Sequence, residues 1–173
     1  FRRERDLDVI LTAADVPGQN SFGVFPNTKD QPVFAERHAR FRGEAVLALV
    51  GSADTLAAIE DQDVPITWTP TAPLAEVAAA LEAGARLIHE THPDNILTRG
   101  NLKCGDVIAG HAAGDVTAEG TFTTTFVEHA YIEPEAGFAE RDGDTITISA
   151  CTQAPYMDRE ETARVLGIPH DKV

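Results

Sequence analysis

In RDGDTITISACTQAPYMDREETARVLG, Arg141 to Gly167, the apolar spacing changes within a few residues from every second position to a helical repeat. Asp142, Gly143 and Asp144 supply a hairpin turn. Ile146, Ile148 and Ala150 then share one strand face, and Thr147, Ser149, Cys151 and, if the strand continues, Gln153 share the other. Pro155 fixes the backbone for a first helical turn, and Gly167 supplies the left-handed residue that stops the helix. A strand that passes so abruptly into a helix calls for sheet and helix in one layer arrangement, so the expected class is α+β.

The amino-terminal half repeats this mixture. Val9 to Leu11 reads as a short strand before the turn at Pro17-Gly18, and a long polar connection follows. The apolar run GEAVLALVG, Gly43 to Gly51, reads as a strand buried on both faces, central to a sheet. Asp54 is placed to cap a helix over Thr55 to Glu60, and PITWTP, Pro65 to Pro70, alternates like another strand. Pro73 opens a second helix, with Leu74, Val77, Ala78 and Leu81 at helical spacing and Gly84 as its stop. From Thr91 to Val116 periodicity fades into a connecting segment. Beyond it, GTFTTTFVEH sets Phe122 and Phe126 against a threonine face, and YIEPEAGFAE reads as the strand before the hairpin.

Charge narrows the partners. Against 28 Asp and Glu stand 14 Lys and Arg, a formal net charge of −14, which repels phosphate backbones and anionic lipid. Nucleic acid and membrane surfaces are therefore not the expected partners. No run approaches the ~18 apolar residues of a membrane span, and a cytoplasmic location is expected. Cys104 and Cys151 belong to no CxxC pair and cannot hold a cluster or a structural zinc by themselves; Cys151 is expected as a buried strand thiol, with a disulfide as the lesser alternative.

Few stretches carry chemistry. In HETH, His89 and His92 lie three apart, but Pro93 ends any helix there and HExxH is not matched, so a solvated helix end is expected rather than a metal site. His129 and Glu133 in EHAYIE sit in a strand-like context that would hold them ~13 Å apart, too far for one ion. There is no GxSxG elbow, no phosphate-binding GxxxxGK loop and no GxGxxG. What remains is Gln153, an amide that donates and accepts hydrogen bonds in fixed directions beside the free N–H groups of a helix N-terminus. Two roles stay open from the residues alone: a helix cap, or an oriented amide addressing an anion or oxo group.

Three stretches carry a resemblance: DVPGQNSFGVFPNTKDQPVFAERHARFRGEAVLALVG (Asp15 to Gly51), EGTFTTTFVEHAYIEPEAGFAERDGDTITISACTQAPY (Glu119 to Tyr156) and ARVLGIPHDKV (Ala163 to Val173). In their order and spacing the chain resembles the molybdopterin-binding large subunit of the molybdenum hydroxylases, the xanthine dehydrogenase and aldehyde oxidoreductase family. The resemblance implies an α/β-hammerhead domain over residues 1–90, a linker over 91–114, and the start of a molybdenum-cofactor-binding α+β domain over 115–173. It implies that Gln153, in CTQ, matches the family glutamine that hydrogen-bonds an oxo ligand of the molybdenum, with Cys151 standing where many relatives have serine. The cofactor implied is molybdopterin in a dinucleotide form, with iron–sulfur clusters and FAD on partner subunits or domains. No catalytic residue is expected within the 173 residues, because the family's general base and glycine-rich loop would follow Val173 together with the remainder of the large subunit. The chain alone is therefore expected to be inactive. The implied reaction is hydroxylation of a small-molecule aldehyde, purine or N-heterocycle with water as oxygen donor. The alternative is a non-catalytic docking or assembly module that binds the iron–sulfur or flavin subunits.

Overall fold

The computed structural model describes residues 1–133 and 135–173. In chain order the elements are strands β1 (Val9–Leu11) and β2 (Ala48–Val50), and helices α1 (Ala53–Ala57), α2 (Val77–Ala80) and α3 (Val107–Ala113). Strands β3 (Gly137–Asp142) and β4 (Thr145–Ala150) and helix α4 (Pro155–Leu166) complete them, with short 3-10 turns between. The chain divides into two compact units, Phe1–Ala75 with Glu135–Val173, and Glu76–Pro134.

In the first unit, β1 pairs antiparallel with β2, Ile10 opposite Leu49. The strand expected at Val9 to Leu11 is present. The Gly43 to Gly51 run is not a central strand: only its Ala48–Val50 part is extended in a ladder, it has one neighbour among the described residues, and Val50 is 41% exposed. An apolar run supplies the tendency to be covered, whereas a central position needs strands on both sides. Helix α1 is capped by Ser52, whose hydroxyl accepts from the Thr55 N–H at 3.1 Å, rather than by Asp54, which lies inside its first turn. Pro65 to Pro70 forms no strand, and Trp68 is 60% exposed.

The carboxy-terminal half of this unit follows its local signals closely. β3 and β4 form the hairpin in the register Asp142↔Thr145 to Gly137↔Ala150, closed by Gly143 at φ 62°. α4 begins at Pro155 and ends at Gly167 in the left-handed region, with Ile168 N–H on the Ala163 carbonyl at 3.0 Å. Carbonyls left over at this C-terminus are taken by the turn at Pro17-Gly18: Gly18 N–H donates to Val165 O at 2.9 Å and Gln19 N–H to Arg164 O at 3.1 Å. Only a residue without a Cβ allows this approach, since a Cβ at Gly18 would lie 2.1 Å from Arg164 O.

The polar connection after Gly18 is held by side chains. Asn20 bonds the backbone of Phe34 in both directions, donating at 2.8 Å and accepting at 3.0 Å. Lys29 donates to Gly23 O at 2.6 Å and pairs with Glu161 of α4 at 2.7 Å; Arg164 reaches the same carboxylate at 3.4 Å. Leu7 and Ala163 are the buried apolar residues among those described. Two such residues do not make a domain core.

In the second unit Asn95 clamps a loop: its Nδ2 donates to Ala80 O and Arg86 O, and its Oδ1 accepts from Ile88 N–H. The helix expected from Pro73 is confined to Val77–Ala80, though Gly84 does take a positive φ of 83°. The 91–116 segment, expected to be irregular, contains α3, whose N-cap Asp106 accepts from Ala109 N–H at 3.0 Å. GTFTTTFVEH forms no strand, and Phe122 and Phe126 are 92% and 98% exposed. Its alternation is genuine, but no partner strand among the described residues completes a ladder, and a lone extended segment is not stable as sheet. The strand expected over YIEPEAGFAE starts only at Gly137; of that stretch, Pro134 lies outside the described residues.

Candidate functional site

Gln153 sits in the three-residue turn between the end of β4 at Ala150 and the N-cap of α4 at Ala154. The capping role open from sequence is not taken by Gln153: α4 has no side-chain cap hydrogen bond, and the neighbouring Thr152 instead closes the turn that leads into the helix. Thr152 Oγ1 accepts from Ala154 N–H at 2.9 Å and donates to the carboxylate of Asp158 in the first helical turn. Gln153 is exposed, and its amide makes no hydrogen bond among the described residues. The N–H groups of Tyr156 and Met157 are likewise without an acceptor among those residues, as the first turn of a helix dictates. Beside them the Arg159 guanidinium lies over the Tyr156 ring, 5.8 Å from its centroid.

This donor set suits an oxygen-rich anionic group. A primary amide and two unshared backbone N–H groups offer hydrogens and a positive local potential, and the neutral amide adds directionality without taking up protons. The residues present therefore fit a molybdopterin-type cofactor on its polar side, although they constitute one edge of a site and not an enclosure.

The other candidates do not come together. His89 and His92 meet edge to face with ring centroids 5.7 Å apart, and His129 stacks on Tyr131, also at 5.7 Å, while its N–H donates to Glu128. Among the described residues no three His, Cys, Asp or Glu side chains gather as metal ligands. Cys104 and Cys151 are both exposed free thiols; Cys151 follows the last residue of β4, so it escapes the burial expected of a strand thiol. In the second unit a groove of about 380 Å³ opens beside α3 between Val107 and Ala118 and contains His111 but no acid or thiol to work with it. Sequence reasoning did not find the Thr152–Asp158 pair; a threonine two residues before an N-cap and an acid in the first turn were its only signals.

Of the comparisons with known proteins, one is confined to the half of the chain that carries this turn, and the others run along most of the chain. Residues 88–173 match the family profile of the molybdopterin cofactor-binding domain. A probable xanthine dehydrogenase subunit from Bacillus subtilis (strain 168) is 33% identical over 96% of this chain and 22% of that protein. The chain belongs to the molybdenum hydroxylases, as part of a molybdopterin-binding large subunit. The nicotinate dehydrogenase large molybdopterin subunit of Eubacterium barkeri is 29% identical over 96% of the chain and 39% of that protein. A putative xanthine dehydrogenase molybdenum-binding subunit of Escherichia coli (strain K12) is 31% identical over 77% of the chain and 18% of that protein. The chain thus spans well under half the length of these relatives. Gln153 and the Thr152–Asp158 pair fall inside the matched residues. Among the described residues no helix is long and apolar enough to cross a membrane.

Proposed function

We propose that this chain is the amino-terminal region of the large subunit of a cytoplasmic molybdenum hydroxylase, in which Gln153 hydrogen-bonds an oxygen of the molybdenum cofactor. The observation that carries the reading is the unshared Gln153 amide: it stands within the matched cofactor-binding residues and makes no cap hydrogen bond to α4, so both its donor and its acceptor are available to a ligand. In this reading residues 1–90 form the hammerhead domain, 91–114 the linker, and 115–173 the start of the cofactor-binding domain. The cofactor is a dinucleotide form of molybdopterin, and electrons leave through iron–sulfur clusters and FAD on partner subunits or domains.

When bound, the cofactor supplies two-electron redox chemistry at a substrate carbon, with water as the oxygen source. The chain's own contribution is orientation. Gln153 donates its amide N–H to the cofactor, and the Tyr156 and Met157 N–H groups make the surroundings favourable to negative charge. The general base and most of the substrate pocket belong to the remainder of the subunit. Xanthine and nicotinate, the compounds in the relatives' names, are N-heterocycles with electron-poor ring carbons, which favours that class over aldehydes for this enzyme.

A docking role for the same region is supported by a separate observation. Phe122, Phe126, Tyr131 and Ile132 are each at least 76% exposed, and apolar side chains of that size call for covering polypeptide. In a complete enzyme this covering and the catalytic role coexist.

The test is to purify the complete subunit with its partners, measure molybdenum and pterin per chain, and assay purines, pyridines and aldehydes in oxygen-18 water. About one molybdenum per large subunit and labelled hydroxylated product are expected. A metal-loaded complex whose product oxygen derives from dioxygen would overturn the assignment.

A further inference from the structure

We propose that Thr152 and Asp158 are positioning residues for Gln153, a hydrogen-bonded latch that holds its amide toward the cofactor. This inference rests on the reading of Gln153 given above. Gln153 has no side-chain partner among the described residues, so nothing of its own fixes its direction. The backbone on either side of it is fixed instead. Thr152 Oγ1 accepts from Ala154 N–H at 2.9 Å, closing the turn whose apex is Gln153, and the same hydroxyl donates its proton to the Asp158 carboxylate.

The two bonds are mutually dependent. A hydroxyl has one proton; with that proton committed to Asp158, its lone pairs are turned to the Ala154 N–H. Asp158 therefore sets the rotor of Thr152, and Thr152 sets the turn. Asp158 is in turn fixed by α4, where its N–H donates to Ala154 O at 3.0 Å. The chain of contacts runs from the helix to the carboxylate, the hydroxyl and the turn carrying Gln153. An acid in a first helical turn has an ordinary role as well, favourable interaction with the helix dipole. That role needs no threonine and would not depend on Gln153, which separates the two accounts.

The experiment uses the assembled, metal-loaded enzyme, with turnover expressed per molybdenum. Thr152→Val and Asp158→Ala should each lower kcat about tenfold with little change in KM, the scale expected when a catalytic group is misplaced without being removed. Hydrogen exchange at Ala154 N–H should accelerate about tenfold in both. Thr152→Ser keeps donor and acceptor and should restore both readouts. Asp158→Asn keeps an acceptor oxygen, and so should retain most of the activity even if Asp158→Ala loads poorly. In a Gln153→Ala background Thr152→Val should cost nothing further, because the latch then has no amide to position.

If Gln153→Ala itself leaves turnover per molybdenum unchanged, the reading of Gln153 fails and the latch falls with it. If Gln153→Ala slows turnover while Thr152→Val and Asp158→Ala do not, the latch alone is overturned. Equal losses from Thr152→Val with and without Gln153, or failure of Thr152→Ser to restore activity, would also overturn it, since either result marks a general structural role.

Discussion

Replacing Gly18 with alanine should loosen the far end of the helix that carries the candidate site at its start. A Cβ there would lie 2.1 Å from Arg164 O, 2.6 Å from Gly167 N and 2.8 Å from Val165 O, all of them backbone atoms that no side-chain rotation can move. Restoring ordinary contact at 3.4 Å requires a separation of about 1.3 Å at the closest atom. Displacement on that scale breaks the Gly18–Val165 and Gln19–Arg164 bonds, now 2.9 and 3.1 Å. Two backbone hydrogen bonds contribute roughly 1–3 kcal/mol, and overpacking adds roughly 1–3 kcal/mol, so the local cost is about 2–6 kcal/mol. At a factor of ten per ~1.4 kcal/mol, exchange of the Gln19, Gly167 and Ile168 amides should rise at least about thirtyfold in Gly18→Ala. Hydrogen exchange with mass analysis of the complete subunit reads this directly. Unchanged protection at those amides would show that the turn does not rest on the helix end as described.

Two further outcomes follow from charged groups in the same unit. Lys29 and Glu161 are 15% and 14% exposed, and Glu161 Oε2 has no hydrogen-bond partner among the described residues, so Lys29→Met should destabilise by about 2–4 kcal/mol, somewhat below a fully buried pair because Arg164 remains at 3.4 Å. Urea unfolding should show that loss largely recovered in Lys29→Met/Glu161→Met; a double variant no better than the single would contradict the pairing. Asp15 is held below its ordinary value of 3.8 first by the Thr12 hydroxyl and then by the Thr12 N–H, both at 2.8 Å. A lowered carboxylate stabilises the fold fully above its unfolded value, and the contribution disappears as pH falls through the folded one. Thr12→Val should therefore move the Asp15 titration midpoint up toward 3.8 in an NMR titration, and an unmoved midpoint would reject the contact.

Local chemistry was legible in the sequence where structure depends on neighbours along the chain. Pro155 and Gly167 bound α4, Asp142-Gly143-Asp144 turns the β3–β4 hairpin, and β1 stands where Val9 to Leu11 suggested. The unread features depend on distant partners. GTFTTTFVEH has strand alternation without a strand beside it, and the Gly43 to Gly51 run has one neighbour where two were expected. The polar connection after Gly18 is organised by Asn20 on Phe34 and Lys29 on Glu161, contacts that no periodicity announces. α3 was hidden because its alanines and glycine carry little pattern, leaving the Asp106 cap as its clearest signal. Gln153 was visible as an amide at a strand-to-helix junction, but physics alone left it as cap or ligand. In the structure Gln153 makes no cap bond to α4, and the turn that carries it is held by the Thr152 hydroxyl through Ala154 N–H and Asp158 six residues away, contacts that strand and helix periods do not reveal.

Turnover per molybdenum of Gln153→Ala in the assembled enzyme, measured alongside its melting temperature, tests the central claim most directly. A hydrogen bond to a charged group contributes roughly 1.5–3 kcal/mol, so the account predicts a ten- to hundredfold fall in turnover with the melting temperature unchanged. Unchanged turnover per molybdenum with a lowered melting temperature would contradict it, leaving Gln153 a structural residue of the α4 N-terminus.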